Sequence, residues 1–384
     1  MVTISCAGKL HAFSLAEQLS AHHLLDAFYT SYAYQKNTWL RGMAKRTDKE
    51  VIPVEKIRTS SPLAFPMKLW PAQAFIWNDL FDRWVAWNIN QEKSRVFIGW
   101  SGMSLRTIKR AKSAGKITIV ERGSAHILYQ NEILKEEYGR FGIRFSIDQR
   151  VINKELQEYE AADYISIPSR FVYDSFVKHG IAPAKLLKNM YGASDFFTVK
   201  QQPEEKQKFI IVYLGKLSIQ KGIVYLLEAL HKAGIGEQDY EAWFIGGIDD
   251  ELKETIAKFK KPNWTFFGHV DHYKLPELLN QCSIAVQPSL QDGMGMVIPQ
   301  CLACGVPVIA SENCGGAEII IPGKTGYVVP VRSPEGIADA ILQVFHDRPR
   351  LAEMKHAAVE SVKSGLSWVD YGNRYAAHLA QIMR

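Results

Sequence analysis

Four short stretches gather the residue types that polar chemistry needs, each where an apolar run gives way to a turn. In one, Gly215 and Lys216 follow a strand-like run, and Lys221 closes the turn before an amphipathic segment. Two ammonium groups beside the free N–H groups of a helix start would suit a diphosphate. Solvated surface lysines are the alternative, although lysines at a helix start oppose its dipole unless an anion lies between them. No Walker pattern accompanies them, so ATP hydrolysis is not indicated. In the second stretch, Asp292 is followed by Gly293, Met294, Gly295 and Met296, and seven residues separate it from Gln300. Glycines let backbone N–H groups come close to a ligand. A carboxylate accepts from hydroxyls and a carboxamide both donates and accepts, which fits a sugar; equally, Asp292 could cap a helix and Gln300 be a partly buried polar residue. The third stretch, ERGSAH at residues 121–126, offers Arg122 to a phosphate or an acceptor, and Ser124 and His126 before a helix, where a histidine also serves as a cap or surface residue. The fourth, Gly8 with Lys9 and His11, is a tight turn after the first strand-like run.

The elements that must position these groups are legible as alternating β-branched runs and amphipathic segments, the pattern of βα units around a parallel sheet. Strands are expected at Val2 to Cys6, Val96 to Gly99, Ile117 to Glu121 and Tyr164 to Ile167 in the first half. In the second half they are expected at Phe209 to Leu214, Ala242 to Ile245, Trp264 to Phe267, Ile284 to Gln287 and Val306 to Ala310. Helical periodicity runs over Phe13 to Leu19 and Leu105 to Ala114, and a helix is expected from about Met296 to Cys304. TVKQQPEEKQK, residues 198–208, is polar and aperiodic and reads as a linker between two doubly wound domains. In such α/β sheets ligands bind beyond the carboxyl ends of the strands, which is where all four stretches fall.

The chain has 384 residues, 47% of them hydrophobic and 22% charged, enough for two ordinary domains with sizeable cores. No fixed-period repeat is visible. A strand-like run begins at Val2 and no apolar run approaches the ~18 residues of a membrane span, so a cytoplasmic home is expected. The five cysteines are read as reduced core residues, since Cys301 and Cys304 lack a second pair or nearby histidines for zinc. The net charge of +6 suits anionic ligands or an anionic membrane surface. It is modest and comes with no recognised nucleic-acid motif, so nucleic acid is disfavoured as a partner.

YLGKLSIQKG, FFGHV, PSLQDGMGMVIPQCLACGVPVIAS, CGGAEII and GKTGYVVP, in this order and spacing, resemble the C-terminal domain of the family 4 retaining glycosyltransferases of the GT-B fold. The resemblance is strong over residues 205–365. It is looser in the first half, through AGKLHAFSLAEQL, ERGSAH, IPSRFVYDSF and NMYGASDFF, and SWVDYGNRYAAHLAQIM resembles a C-terminal helix crossing back to the first domain. It implies an N-terminal acceptor-binding domain at 1–198, a nucleotide-sugar-binding domain at 199–365 and the returning helix at 366–384. It also implies transfer of a hexosyl group, with retention at the anomeric carbon, from a nucleotide diphosphate sugar as co-substrate, without metal or other cofactor. Carried over residue by residue, Lys216 and Lys221 hold the diphosphate, Asp292 the sugar hydroxyls and Gln300 the ribose. Gly8, Gly215, His269, Val270, Gly293, Met294, Gly295 and Met296 would line the donor. His126 would reach the sugar from the first domain, and Lys9, His11, Arg122 and Ser124 would lie toward the acceptor. The sequence departs from the family at Asp292 and Gln300, where relatives carry glutamates, and at Lys216, often arginine. Asp is shorter by a methylene, Gln lacks the charge that strengthens a bond to ribose, and Lys replaces a bidentate fork with a point charge.

The acceptor implied is a saccharide or lipid-linked saccharide of surface polysaccharide, lipopolysaccharide or glycolipid assembly. Residues 61–90 are rich in Trp and Phe, and Arg41, Lys45, Arg46, Lys49, Lys56 and Arg58 precede them. That combination suits peripheral contact with an anionic inner-membrane face, or a buried helix with core tryptophans. Two other readings share the fold: a GT-B sugar-nucleotide epimerase, and a non-catalytic sugar-nucleotide-binding subunit suggested by the missing glutamates.

Overall fold

The computed structural model describes residues 1–8, 10–31, 52–60, 73–200, 208–363 and 365–384. Lys9, Arg41, Lys45, Arg46, Lys49, the first part of the aromatic segment at 61–72 and most of the linker, 201–207, lie outside the described residues.

Two parallel sheets form the frame. The first comprises β1 (Val2–Cys6), β2 (Leu25–Thr30), β3 (Ile57–Thr59), β4 (Val96–Trp100), β5 (Ile117–Glu121), β6 (Tyr164–Ile167) and β7 (Leu186–Lys188), in the order β3-β2-β1-β4-β5-β6-β7. The second comprises β8 (Phe209–Leu214), β9 (Tyr240–Ile245), β10 (Trp264–Gly268), β11 (Ile284–Gln287), β12 (Val308–Ser311) and β13 (Gly326–Val329), in the order β10-β9-β8-β11-β12-β13. Both orders reverse beside the first strand of the sheet, and the switch point leaves a crevice at the carboxyl edge. Helices cover both faces of each sheet, so the central strands carry unbroken apolar runs: every residue of FIIVYL in β8 is buried. Each domain therefore has two apolar layers, one on either side of its sheet.

The chain crosses between domains near Gly192. Tyr191 is buried with the first-domain core and Phe197 with the second. Ala193 forms an isolated parallel bridge with Ser367, where the chain returns. A side chain at Gly192 would run into the backbone of Ser367. Ser367 then starts the last helix, Trp368–Ile382, through a capping box with Asp370. Tyr371, Tyr375 and Leu379 of that helix lie in the first-domain core, and Gly372 rests on Gln18 with no room for a side chain. Arg374 fastens the return by donating to Asn189 Oδ1 at 3.0 Å and to the Met190 carbonyl at 2.6 Å.

The described part of the aromatic segment is the helix Ala74–Asn88, which divides its apolar residues. Phe81 and Val85 are buried in the first domain, whereas Ile76, Leu80 and Trp87, the last 85% exposed, face outward. Two of the preceding basic residues are occupied locally: Lys56 donates to the Leu25 carbonyl and Arg58 pairs with Glu92. All five cysteines are free and buried, and burial pushes the Cys6 and Cys304 thiols up to about 12.

Candidate active site

The second domain contributes a shelf at the carboxyl ends of β8 to β11. Gly215 and Gly246 end β8 and β9 with φ of 144° and 148°, and a Cβ on Gly246 would strike the Gly215 carbonyl, so the two turns touch. Tyr213, buried, donates to the Lys216 carbonyl at 2.8 Å. Lys216 itself is 65% exposed and pairs with Asp249. Gly268 continues the shelf beyond β10, leaving His269 exposed and Val270 half-buried at its rim.

Lys221 reaches inward instead. Its Nζ donates to Asp292 Oδ2 at 2.5 Å, with the two side chains 25% and 20% exposed. Burial alone would depress the lysine pKa, but the adjacent carboxylate outweighs it and holds the ammonium form. This contact settles what Asp292 does in the free protein. The following helix, Val297–Ala303, starts at Met296 without a side-chain cap, so Asp292 is no helix cap; its carboxylate orients Lys221. Gln300 is buried within that helix. Gly295 takes φ of 63° against Cys314, whose Sγ fills the place of a side chain.

Between Asp292 and Gly295 the loop meets the first domain. A Cβ on Gly293 would collide with the Gly123 carbonyl, and the Gly293 carbonyl accepts from Ser169 Oγ at 2.6 Å. Ser124 Oγ donates to Gln291 Oε1 at 2.9 Å. Farther along, Glu137, fully buried, accepts from Tyr225 OH at 2.5 Å and Arg332 Nε at 2.6 Å, a second tie between domains.

Several sequence-predicted residues are placed differently from expectation. Met294 lies in the apolar core of the first domain and Met296, half-buried, packs against it, so the Met294 side chain joins the domains and is not open to the crevice. Arg122 points into its own domain, where Glu155 and Gln130 accept from it at 3.0 and 2.7 Å. His11 Nε2 lies 3.3 Å from Glu121 Oε2, its ring against Trp100 and Tyr191. Gly8 has ordinary space around it.

His126 is only 2% exposed, packed with Tyr159, Phe176 and His179, and accepts from Leu128 N as a helix cap. The structure thus turns it away from the cleft, because an imidazole in that aromatic setting completes the core. Burial, and the like charge of His179 and Arg122, push its pKa down to about 3. The native imidazole stays neutral where the unfolded one takes up a proton below about 6.5, so this stability contribution is full above that pH and lost as pH falls toward about 3. His126→Asn keeps a cap acceptor without titrating. Its plot of Tm against pH should be flatter than the parent's between those values, and superimposable plots would contradict the assignment.

Glu121, Ser169, Gln291 and Glu137 make contacts within or between the domains that the sequence does not mark. Glu121 and Gln291 adjoin the ERGSAH and Asp292 stretches, but no local pattern signals that Glu121 meets His11 or that Gln291 meets Ser124. A cavity of about 590 Å³ lies between the domains on the β12–β13 side, lined by Tyr129, Arg170, Asp174, Lys178, Glu312 and Glu318 among others. It contains none of the sequence-predicted site residues, and its charges are mixed, so the lysine-bearing shelf is the better anion site.

Residues 195–361 match the family model described as Glycosyl transferases group 1. The chain is 26% identical to a glycogen synthase of Mycobacterium tuberculosis over 199 residues, 49% of this chain and 46% of that protein. The chain therefore spans about half the length of such curated relatives. Over its whole length it superposes on sucrose-phosphate synthase from Thermosynechococcus elongatus, with TM-score 0.74, 17% identity and coverage of 100% and 98% of the two chains. It also superposes on Anabaena HepE in complex with UDP and glucose, with TM-score 0.71, 15% identity and 99% of each chain covered. These likenesses give the fold, GT-B, and place a group 1 glycosyl transferase domain in its second half.

Proposed function

With a group 1 glycosyl transferase domain forming the second half of a GT-B fold, the chain is, we propose, a retaining glycosyltransferase that uses a nucleotide diphosphate sugar. The observation that carries this reading is Lys221, held by Asp292 at the interdomain crevice with Lys216 at its rim. A diphosphate seated there would displace part of the Lys221 pair and gain two cations as negative charge builds on the leaving group. The Asp292 carboxylate would then be freed toward the sugar hydroxyls, and the buried Gln300 would serve the ribose. Because the lysines supply positive charge directly, transfer proceeds without a divalent metal. Retention follows from a same-face reaction in which the departing phosphate oxygen takes the acceptor hydroxyl's proton as the new glycosidic bond forms. Closure of the crevice excludes water from that step. The acceptor, a saccharide or lipid-linked saccharide, would approach from the first domain. Ile76, Leu80 and Trp87 support a peripheral contact with an anionic membrane there; among the described residues no helix is long and apolar enough to cross one.

Binding tests the reading. Across UDP, GDP and ADP and their sugars, one base series should raise Tm, with about 2.7 kcal/mol of stabilisation at a hundred times Kd, while CMP and its sugars, which carry no diphosphate, should not. EDTA should leave that shift unchanged. No shift with any nucleotide, or a strict need for Mg²⁺ or Mn²⁺, would overturn it.

A further inference from the structure

A second polar cavity lies on the flank of the first domain, away from Lys216 and Lys221. It has a volume of about 350 Å³ and is walled by Phe75 and Asp79, by Arg106 and Lys109, and by Arg150 and Lys154. These come from the helices Ala74–Asn88, Leu105–Ser113 and Gln149–Ala161. That volume is at the small end for ligand pockets, ~300–1,000 Å³. Four cations face one lining carboxylate. Lys109 has no ion-pair partner among the described residues, and Arg106 meets Asp79 only at 3.4 Å. Arg150 is paired with Asp148 at 2.6 Å but remains exposed.

The strongest observation concerns Lys154. It is 6% exposed, and its Nζ makes no hydrogen bond. It is ion-paired with the carboxylates of Asp79 and Asp82, at 3.6 and 3.5 Å, beyond hydrogen-bonding distance. Asp82 is already committed, accepting from Arg106 N and Thr107 N and from Thr107 Oγ1. A buried ammonium has three donors to satisfy, and leaving them unused is costly. An oxyanion entering the cavity would meet Arg106 and Lys109, and would take up these donors as the Lys154 ammonium turns out from between its two carboxylates.

The geometry points to a binding site for a phosphate-bearing group, which we propose belongs to the acceptor; that attribution rests on the transferase reading. Placement agrees. Glu155, next to Lys154, holds Arg122 at the start of the turn carrying Ser124, and Glu158 accepts from Gly102 N and Ser104 N after β4. The cavity is therefore level with the carboxyl edge of the first sheet, where the domain faces its ligands. The exposed Ile76 and Leu80 share the helix that supplies Phe75, so a phosphate on a lipid could be met with its head in the cavity and its chains on that helix.

The test uses the full chain carrying Lys221→Ala, which weakens the crevice's hold on a diphosphate, and titrates pyrophosphate calorimetrically at low salt. In parallel, phosphatidylcholine vesicles with and without phosphatidic acid are tested for co-sedimentation. Arg106→Gln with Lys109→Gln, both surface changes, should weaken binding by about tenfold or more, as for loss of charge-assisted bonds. Lys154→Met should do the same if it folds. A pocket-dependent loss with pyrophosphate identifies a free phosphate group as sufficient; a loss seen only on phosphatidic acid vesicles identifies a lipid headgroup. Equal binding by the double variant with both probes, or no binding of either probe to the Lys221→Ala chain, overturns the site. Nucleoside diphosphate binding to the unmutated crevice, measured separately, reports on the transferase reading alone.

Discussion

Lys221→Ala should lower turnover by about a hundredfold or more, the loss expected when one preorganised contact to developing charge is removed. Lys221 closes the turn after β8, and Gly222 lets the following helix begin there: its φ is 65°, and a side chain would strike the Pro288 carbonyl. The turn is thereby pressed against the loop that carries Asp292, and the 2.5 Å contact fixes the ammonium before any ligand arrives. A charge already in place costs little reorganisation as the diphosphate departs. Because the interaction grows toward the transition state, kcat and kcat/KM should fall together. Lys216, 65% exposed, is screened by solvent, so Lys216→Ala should cost less. Steady-state kinetics on folded variants decide the matter; unchanged kinetics in the double alanine variant would remove both lysines from the mechanism.

Gly293→Val should cost on the order of a hundredfold in activity by a different route. Two backbones meet at this point, and even a Cβ would overlap the Gly123 carbonyl. Neither is a flexible side-chain end, so the domains must part. The Ser124–Gln291 bond and the Ser169 bond to the Gly293 carbonyl lie on the same contact and would be strained or lost. Displacement by about 1 Å suffices for a hundredfold loss when two bound reactants must be aligned. Each domain keeps its own core, so far-UV circular dichroism should be unchanged while small-angle scattering shows a larger radius of gyration. Gly247→Ala is the control, since nothing stands within 4 Å of its added Cβ, and should be neutral. An active, compact Gly293→Val protein would show that the interdomain contact does not position the reaction.

The sheet-building strands were legible because burial on both faces writes them as unbroken apolar runs. FIIVYL, ITIVE and IAVQ form strands over the same residues that the sequence marks. The runs IRT and LLK, β3 and β7, are three-residue edge strands, too short to show any period, and Asp26 interrupts β2. Within the candidate site, glycine turns at strand ends mark Lys216, Lys221 and Asp292 in the sequence. The direction of a side chain was not. ERGSAH shows a histidine beside a turn, yet only the packing of Tyr159 and Phe176 decides that its ring faces inward. Met294 and Gln291 carry no local sign of their role either, since each finds its partner in the other domain.

Proton NMR of the sugar released when an α-linked nucleotide sugar is turned over slowly, without acceptor and with EDTA present, tests the central claim most directly. Retaining, metal-independent chemistry predicts that nucleoside diphosphate accumulates and that the first anomer to appear is α, before mutarotation mixes the two. A β anomer first, or no cleavage of any donor until a divalent metal is restored, would contradict it.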